Sequence, residues 1–421
     1  MNRDNELVQE AWINLKAGEQ SLARRYAERA LLIADDIGTK TKAYYILSQT
    51  ADTPDEKRDH LETVLAYDPT YAEARRELAI LDGKLKPEEI VNADRLPAQS
   101  SGAQKAKADR FTCPQCGARR FFTPDGKSLV CEHCGYGDSL SIEGAADESD
   151  FFVAMATAKG HRKAVATQVF HCKGCGAEFV LAPGVISSTC AYCDSPHVIR
   201  LAESRELLEP DGIIPQALTL KQAIQKLAAW VEGRAIHPER KVDPPRPVYL
   251  PVWTFDLGGG ININGQRVIF DEGNLSGWNQ TRRVTKTEPV HEQYPVWLND
   301  LSVPASKKNT SILNHLLPTF DLSAIKPYDA RYLADWCAEI YDISMSDASL
   351  EARAQAVRQY TDRIRREIMD IQNMRLSSAG MTVESFKLIL LPVWITEIHY
   401  NGELHTILIN GQNGRIVEVD G

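Results

Sequence analysis

The sequence has no long apolar stretch. No run approaches the roughly 18–20 residues that a membrane-spanning helix needs. Its start, Met1-Asn-Arg-Asp-Asn-Glu6, is polar and acidic and lacks the apolar core of a secretory signal. Catalytic signatures are missing as well: there is no Gly-x-Ser-x-Gly, no phosphate loop ending in Gly-Lys-Ser/Thr and no His-Glu-x-x-His. Gly258-Gly-Gly260 is glycine-rich, but Ile-Asn-Ile-Asn-Gly follows it, the pattern of a hairpin and not of a helix N-terminus. Positive charge is not in excess. The formal net charge of -9 argues against an electrostatic grip by the whole chain on nucleic acid or anionic lipid. Isolated cysteine is nearly absent: of 9 in the chain, Cys337 alone stands outside one compact region, within an apolar stretch that reads as helical, where a buried thiol is expected. These absences leave a non-enzymatic protein of a reducing cytoplasm. At 421 residues, with 43% hydrophobic and 25% charged residues, it is a soluble globular chain of several domains.

What is present centres on the cysteines. Cys113-Pro-Gln-Cys116-Gly and Cys131-Glu-His-Cys134-Gly form one set; Cys172-Lys-Gly-Cys175-Gly and Cys190-Ala-Tyr-Cys193 form a second with the same internal spacing. Two residues between cysteines let both sulfurs of a tight turn face one cation. A glycine after the pair (Gly117, Gly135, Gly176) permits positive φ where the backbone curls round it. Four thiolates close a tetrahedral shell, so the expectation is two structural Zn2+ per chain in tandem zinc ribbons. Redox C-x-x-C chemistry and a rubredoxin-like iron site share the local turn, but two matched pairs per module favour zinc. His133, His171 and His197 flank the thiolates and read as neighbours of the sites, not ligands.

The coarse organisation is multidomain: an all-α helical repeat, small β ribbons and an α+β C-terminal domain with antiparallel sheets. Residues 1–86 carry apolar residues at helical spacing and a 34-residue offset between Ala30-Leu31 and Val64-Leu65, the tetratricopeptide period. Gly18, Ala23, Ala27 and Ala30 stand where such repeats need small residues. Residues 87–110 read as a flexible linker that leaves the repeats free to pack on another copy or a partner. Ribbon 1 spans 111–136, a connector 137–163, with a short helix over Phe151–Ala158, and ribbon 2 spans 164–200, entered by a strand over Ala164–His171. The α+β domain spans 210–421. It contains a helix over Leu218–Arg234, a long helix from Ser349 to about Asn373, and hairpin turns at Asn264-Gly265 and Asn401-Gly402. Pro-Val-Trp occurs three times, ending at Trp253, Trp297 and Trp394, which predicts two related sheet units.

Twin ribbons together with Leu-Pro-Val-Trp253-Thr-Phe, Asp300-Leu-Ser-Val-Pro-Ala-Ser306, Tyr332-Leu-Ala-Asp-Trp336, Leu-Leu-Pro-Val-Trp394 and Asn410-Gly-Gln-Asn-Gly-Arg-Ile resemble a bacterial family of TFIIB-type zinc ribbon proteins, loosely called primosomal protein N′-like. The resemblance covers about residues 110–421; the helicase motifs of the primosomal protein itself are absent. Where the family ends in Asn-Gly-Gln-Thr-Gly, this chain has Asn at the fourth position. The resemblance implies no assigned activity, and an adaptor working beside membrane-stress proteins, peripheral to the membrane. The reading is therefore a protein–protein scaffold using the TPR-like region. The alternative is a nucleic-acid-binding accessory factor, for which Arg119-Arg120-Phe121-Phe122 is the local signal, basic and aromatic together.

Overall fold

The computed structural model describes residues 3–90, 113–116, 118, 120–122, 128–131, 133–139, 146–157, 165–167, 169–173, 178–180, 198–200, 205–207, 209–273, 282–307, 310–333 and 336–419. Five helices come first: α1 (Arg3–Lys16), α2 (Gln20–Ile33), α3 (Ile37–Gln49), α4 (Pro54–Tyr67) and α5 (Ala72–Leu81). From Arg3 to Ile37 and from Gln20 to Pro54 the offset is the same 34 residues, so the second helix pair repeats the first. The helices approach closely because alanines line the seam: Ala11, Ala23, Ala27, Ala30 and Ala43 are fully buried. Gly18 has another role than packing. Its φ of +82 makes the α1–α2 turn, and nothing lies within 4 Å of where its Cβ would be. Side-chain caps start α3 at Asp36, through Thr39 N–H, and α4 at Thr53, through Glu56 N–H, with Pro54 pre-set for the first turn.

Short strands follow. β1 (Arg120–Phe122), β2 (Ser128–Cys131) and β3 (Gly137–Ser139) form an antiparallel three-stranded sheet that reaches past residue 136. β4 (Ser149–Asp150) leads into α6 (Phe151–Ala156), capped by Asp150 accepting from Val153 N–H. The strand expected over 164–171 is two: β5 (Val165–Thr167) and β6 (Val169–Cys172). Then come β7 (Glu178–Val180), β8 (Val198–Arg200) and β9 (Arg205–Leu207). β5 pairs β9, whereas β6 lies between β7 and β8.

The rest is one sheet system. In chain order it comprises β10 (Gly212–Ile213), α7 (Leu220–Gly233), β11 (Arg246–Gly273), β12 (Arg282–Pro295), β13 (Leu298–Pro304), α8 (Thr310–Leu316), β14 (Lys326–Pro327), β15 (Cys337–Glu339), α9 (Met345–Glu367), β16 (Ile371–Ser377), β17 (Met381–Tyr400), β18 (Glu403–Asn410) and β19 (Ile416–Val419). β11 and β17 are the central antiparallel pair, and their two Leu-Pro-Val-Trp words cross with Leu250 opposite Leu391. Around that point the arrangement repeats. β15 runs parallel to β11 at Val248 and Tyr249, and β13 joins the same edge from Val252; β10 runs parallel to β17 at Ile389 and Leu390, and β18 joins from Val393. Pro251 and Pro392 fall in the gaps between these neighbours, the positions in a central strand where a missing N–H leaves no ladder bond unmade. Their carbonyls accept from Ala305 N–H (3.1 Å) and Gly411 N–H (2.9 Å). The helices match too: Thr219 caps α7 with Gln222 in a capping box, and Ser344 caps α9 with Asp347 N–H. The expected pair of related sheet units has this arrangement, but the sheet is mixed and not antiparallel throughout, because β10 and β15 run parallel to the strands they join.

Both faces of the central pair are covered, which is why these strands read as continuous apolar runs. One face packs Val248, Leu250, Val252, Ile389, Leu391 and Val393 against Leu313, Leu316 and Phe320. The other carries two cores: Trp253, Phe255 and Phe386 with α6 and α9 at one end, and Tyr249, Trp336 and Trp394 with α7 at the other. Trp253 donates its indole N–H to Ile343 O at 2.9 Å.

Several expectations are corrected here. Asn264-Gly265 is no turn. β11 runs straight through it, pairing His291 and Val290 of β12 on one side and β16 on the other. Gly265 is needed for close approach, because a Cβ there would lie 2.4 Å from Ile371 Cγ2. Asn401-Gly402 does turn, with φ of +55 and +81. The stretch around Cys337 is a strand, β15, paired with β11, and not a helix. The long helix ends at Glu367, and Ile371 onward is β16, because β11 offers that segment an open edge. Trp297, the third word, is 68% exposed. The first residues of the expected 87–110 linker are held in place: Ile90 bridges Thr157 beyond α6, α5 packs beside α6, and Arg75 pairs with Glu384 of β17 at 3.1 Å; residues 91–110 lie outside the described residues. The helical array is thus closed at its C-terminal end by the sheet unit and is not held apart from it. No helix among the described residues is long and apolar enough to cross a membrane.

Candidate metal centre

The first cysteine set forms two matching knuckles. Cys113 N–H donates to Ala118 O (2.7 Å) and Cys131 N–H to Tyr136 O (2.9 Å), the same five-residue closure in each. Gly135 has φ +70, the left-handed turn its position requires; Gly117 and Gly176 lie outside the described residues. The register Arg120↔Cys131 and Phe121↔Val130 places the second knuckle on the end of β2 and folds it back onto the first. The result brings Sγ of Cys113 within 3.5 Å of Cys134, and Sγ of Cys116 within 3.5 Å of Cys131, with all four sulfurs inside 4.8 Å of one another. A tetrahedral ion with metal–sulfur bonds of about 2.3 Å needs sulfurs about 3.8 Å apart, so the donor set fits.

The electrostatics split the set: the N–H of Ala118 is outweighed by burial and the thiols of Cys131, Cys134 and Cys113, which push Cys116 up to about 12, and Cys134 is raised as well, whereas the two buried cysteines are lowered. Cys131 is brought down to about 6, chiefly by the backbone N–H of Cys134; burial opposes this, and the N–H of His133 and the neighbouring thiols add to it. Cys113 is also lowered: burial pushes it up, but the N–H groups of Gln115 and Cys116 and the thiols of Cys134 and Cys116 together outweigh that. Cys113 and Cys131 are buried, while Cys116 and Cys134 face solvent. Four sulfurs could hold one ion and would leave it no open coordination position, the donor set of a structural and not a catalytic site.

Of the second set, Cys172 is fully buried and ends β6, opposite Val198 of β8; Cys175, Cys190 and Cys193 lie outside the described residues, as does His197. β7 pairs β15, so this hairpin is continuous with the large sheet through Val180↔Ala338 and Phe179↔Glu339. His171 faces Glu178, its Nδ1 3.7 Å from the carboxylate, and His133 is exposed. Cys337 is pushed up to about 12 by burial, which suits a packed thiol and not a nucleophile. Of the basic–aromatic signal, Arg120, Phe121 and Phe122 form β1, and Arg119 lies outside the described residues.

Sequence reasoning missed one charged cluster. Lys387, 7% exposed, lies 2.7 Å from Asp300 and 2.9 Å from Glu148. Asp300, at φ +51, donates its N–H to Asp256. Its members come from four separate segments, and no local pattern marks them. The Asn410-Gly-Gln-Asn-Gly ending proves to be a lock. Asn410 Nδ2 donates to Thr319 O and Oγ1, and Gln412 exchanges two hydrogen bonds with the backbone of Asp321, tying the β18–β19 turn to the segment after α8.

Among known proteins, the chain is similar to the "Uncharacterized protein YdjG" of Bacillus subtilis (strain 168). The two are 26% identical over 324 residues, which cover 73% of this chain and 88% of that protein. No family model matches, and no solved structure matches.

Proposed function

We propose that the protein is a non-enzymatic, zinc-binding scaffold that joins protein partners, with two Zn2+ per chain and a TPR-like array as the docking element. The carrying observation is the closure of the helical array, with its 34-residue offset, onto the sheet unit at its C-terminal end. A two-pair array buries little surface alone and needs a cap. Here α6 and β17 supply it, so the array is braced, and the row Trp12–Tyr45–Tyr71, with ring centroids 6.2 and 5.0 Å apart, remains part-exposed at Trp12. Partly exposed aromatic rows on rigid helices are suited to burying a peptide's apolar side chains. The four-thiolate centre supports the same reading, since a closed metal shell stabilises a fold without performing chemistry. The test is affinity capture from the native host with wild type and Trp12→Ala. The proposal expects a reproducible partner set that the substitution depletes. Identical recoveries, or none above a mock control, contradict it.

A further inference from the structure

β12 presents a long free edge. It pairs with β11 over Gly260↔Pro295 to Gly273↔Arg282 without a bulge and with no other strand among the described residues. β16 and the Asp370 carbonyl before it support β11 as far as Val268, so from Ile269 outward β11 and β12 form a ribbon of two strands among the described residues. Such ribbons are marginal in water; a third or fourth strand makes them stable. Something is therefore expected to pair with β12, and its sequence says what.

The direction of the edge is fixed by one bond. Val296 N–H donates to Gly259 O, so even-numbered residues of β12 point their backbone groups at β11. Arg283, Thr285, Thr287 and His291 therefore point theirs outward, and Pro289 at the same parity offers a carbonyl but no N–H. The strand reads Arg282-Arg-Val-Thr-Lys-Thr-Glu-Pro-Val-His-Glu292, basic in its first half and acidic in its second. Turned antiparallel on itself about Thr287, it sets Lys286 opposite Glu288 twice. Neighbouring registers fail: centred on residue 286 they oppose lysine to lysine, and centred on 288 glutamate to glutamate. Cross-strand pairs of opposite charge favour a sheet and like pairs disfavour it. The charges thus disfavour an arbitrary strand, as protected edges do, and favour this one, in which Pro289, opposite Thr285 of the other copy, leaves one ladder bond unmade on each side. Among the described residues Lys286 and Glu288 make an ion pair only with each other, at 3.9 Å, with side chains 66% and 53% exposed.

We propose that the β12 edge is the interface for a second copy of this chain, joined antiparallel about Thr287 into a four-stranded β11–β12–β12–β11 sheet. This inference rests on the sheet unit alone and is independent of the scaffold reading. The experiment is sedimentation velocity on full-length protein from about 1 to 100 µM, a range that brackets a micromolar Kd. Wild type should dimerise with concentration. Lys286→Glu and Glu288→Lys should each weaken the dimer about tenfold, by making two cross-strand pairs repulsive. The Lys286→Glu/Glu288→Lys double variant should restore it, and so should mixing the two single variants, whose edges complement each other. Both positions are exposed strand surface, and restored pairing excludes misfolding as the cause. A wild type that stays monomeric overturns the proposal, as does a dimer indifferent to the single reversals, or single losses that neither the double variant nor the mixture recovers.

Discussion

Replacing Lys387 by Met should cost more than its surface-like neighbourhood implies. The ammonium is nine-tenths buried in β17 and holds Asp300 and Glu148, whose side chains are 34% and 47% exposed. Burial by itself would lower the lysine's pKa, but hydrogen bonds to Asp300 and Glu148 outweigh it and raise the value. A raised lysine contributes its full stabilisation below its unfolded pKa and loses it only as pH rises through the folded one, so at neutral pH the whole effect is present. Removing one partner of a buried pair costs about 3–5 kcal/mol; an exposed pair is worth about 0–1. With a buried cation and part-exposed anions, about 2–3 kcal/mol is the expectation. Asp256 adds to it. It accepts from Asp300 N–H and Ser385 Oγ, so Lys387→Met leaves three carboxylates with no cation among them. Asp300→Asn in that background should recover about 1 kcal/mol by removing one stranded charge, so the two costs should not add. Urea unfolding at neutral pH, followed by tryptophan emission from Trp253 and Trp394, measures both. A cost below about 0.5 kcal/mol, or strict additivity, would refute the reasoning.

Other expectations follow from packing and charge. Trp253→Ala should cost about 3–5 kcal/mol, as large core truncations do, and Trp297→Ala within about 0.5, as on an exposed surface; comparable losses by thermal unfolding would mean the third Pro-Val-Trp word is packed like the others. Gly259→Ala should destabilise the sheet unit, because φ is +92 and the new Cβ would lie 2.4 Å from Gly380 O; an unchanged melting temperature would contradict that close crossing. Glu77 is most affected by burial, which raises its pKa, but bonds from Lys57, Gln49 and Tyr45 together bring it below its ordinary value. A lowered carboxylate stabilises above its unfolded pKa and stops doing so as pH falls through the folded one. The helical unit should therefore weaken in acid below about pH 4.5, and Glu77→Gln should flatten that dependence in far-ultraviolet dichroism titrations.

Much of the architecture can be read from local chemistry. Cysteine spacing marks the first four-sulfur cluster, small residues at a 34-residue offset mark the paired helices, and the repeated Leu-Pro-Val-Trp words mark the two strands that cross at the centre. What escapes is non-local. Asn264-Gly265 has turn chemistry, but β12 pairs it without a break and β16 pairs on either side of a bulge at Gly265, and tertiary pairing overrides propensity. Cys337 sits in an apolar run that fits helix or strand equally, and the open edge of β11 decides it. Arg75 and Glu384 are 309 residues apart, and nothing in either neighbourhood announces the contact that docks the helices. The Lys387 cluster was invisible for the same reason.

The central claim is that closed thiolate centres brace a scaffold. Metal analysis by plasma emission, on full-length protein purified without chelator, tests it most directly when wild type is set beside the Cys113→Ser/Cys131→Ser variant. The account predicts about two zinc ions per chain in wild type and about one in the variant, because the buried half of the first shell is gone. Wild type without zinc, or a variant with the same metal content as wild type, would contradict it.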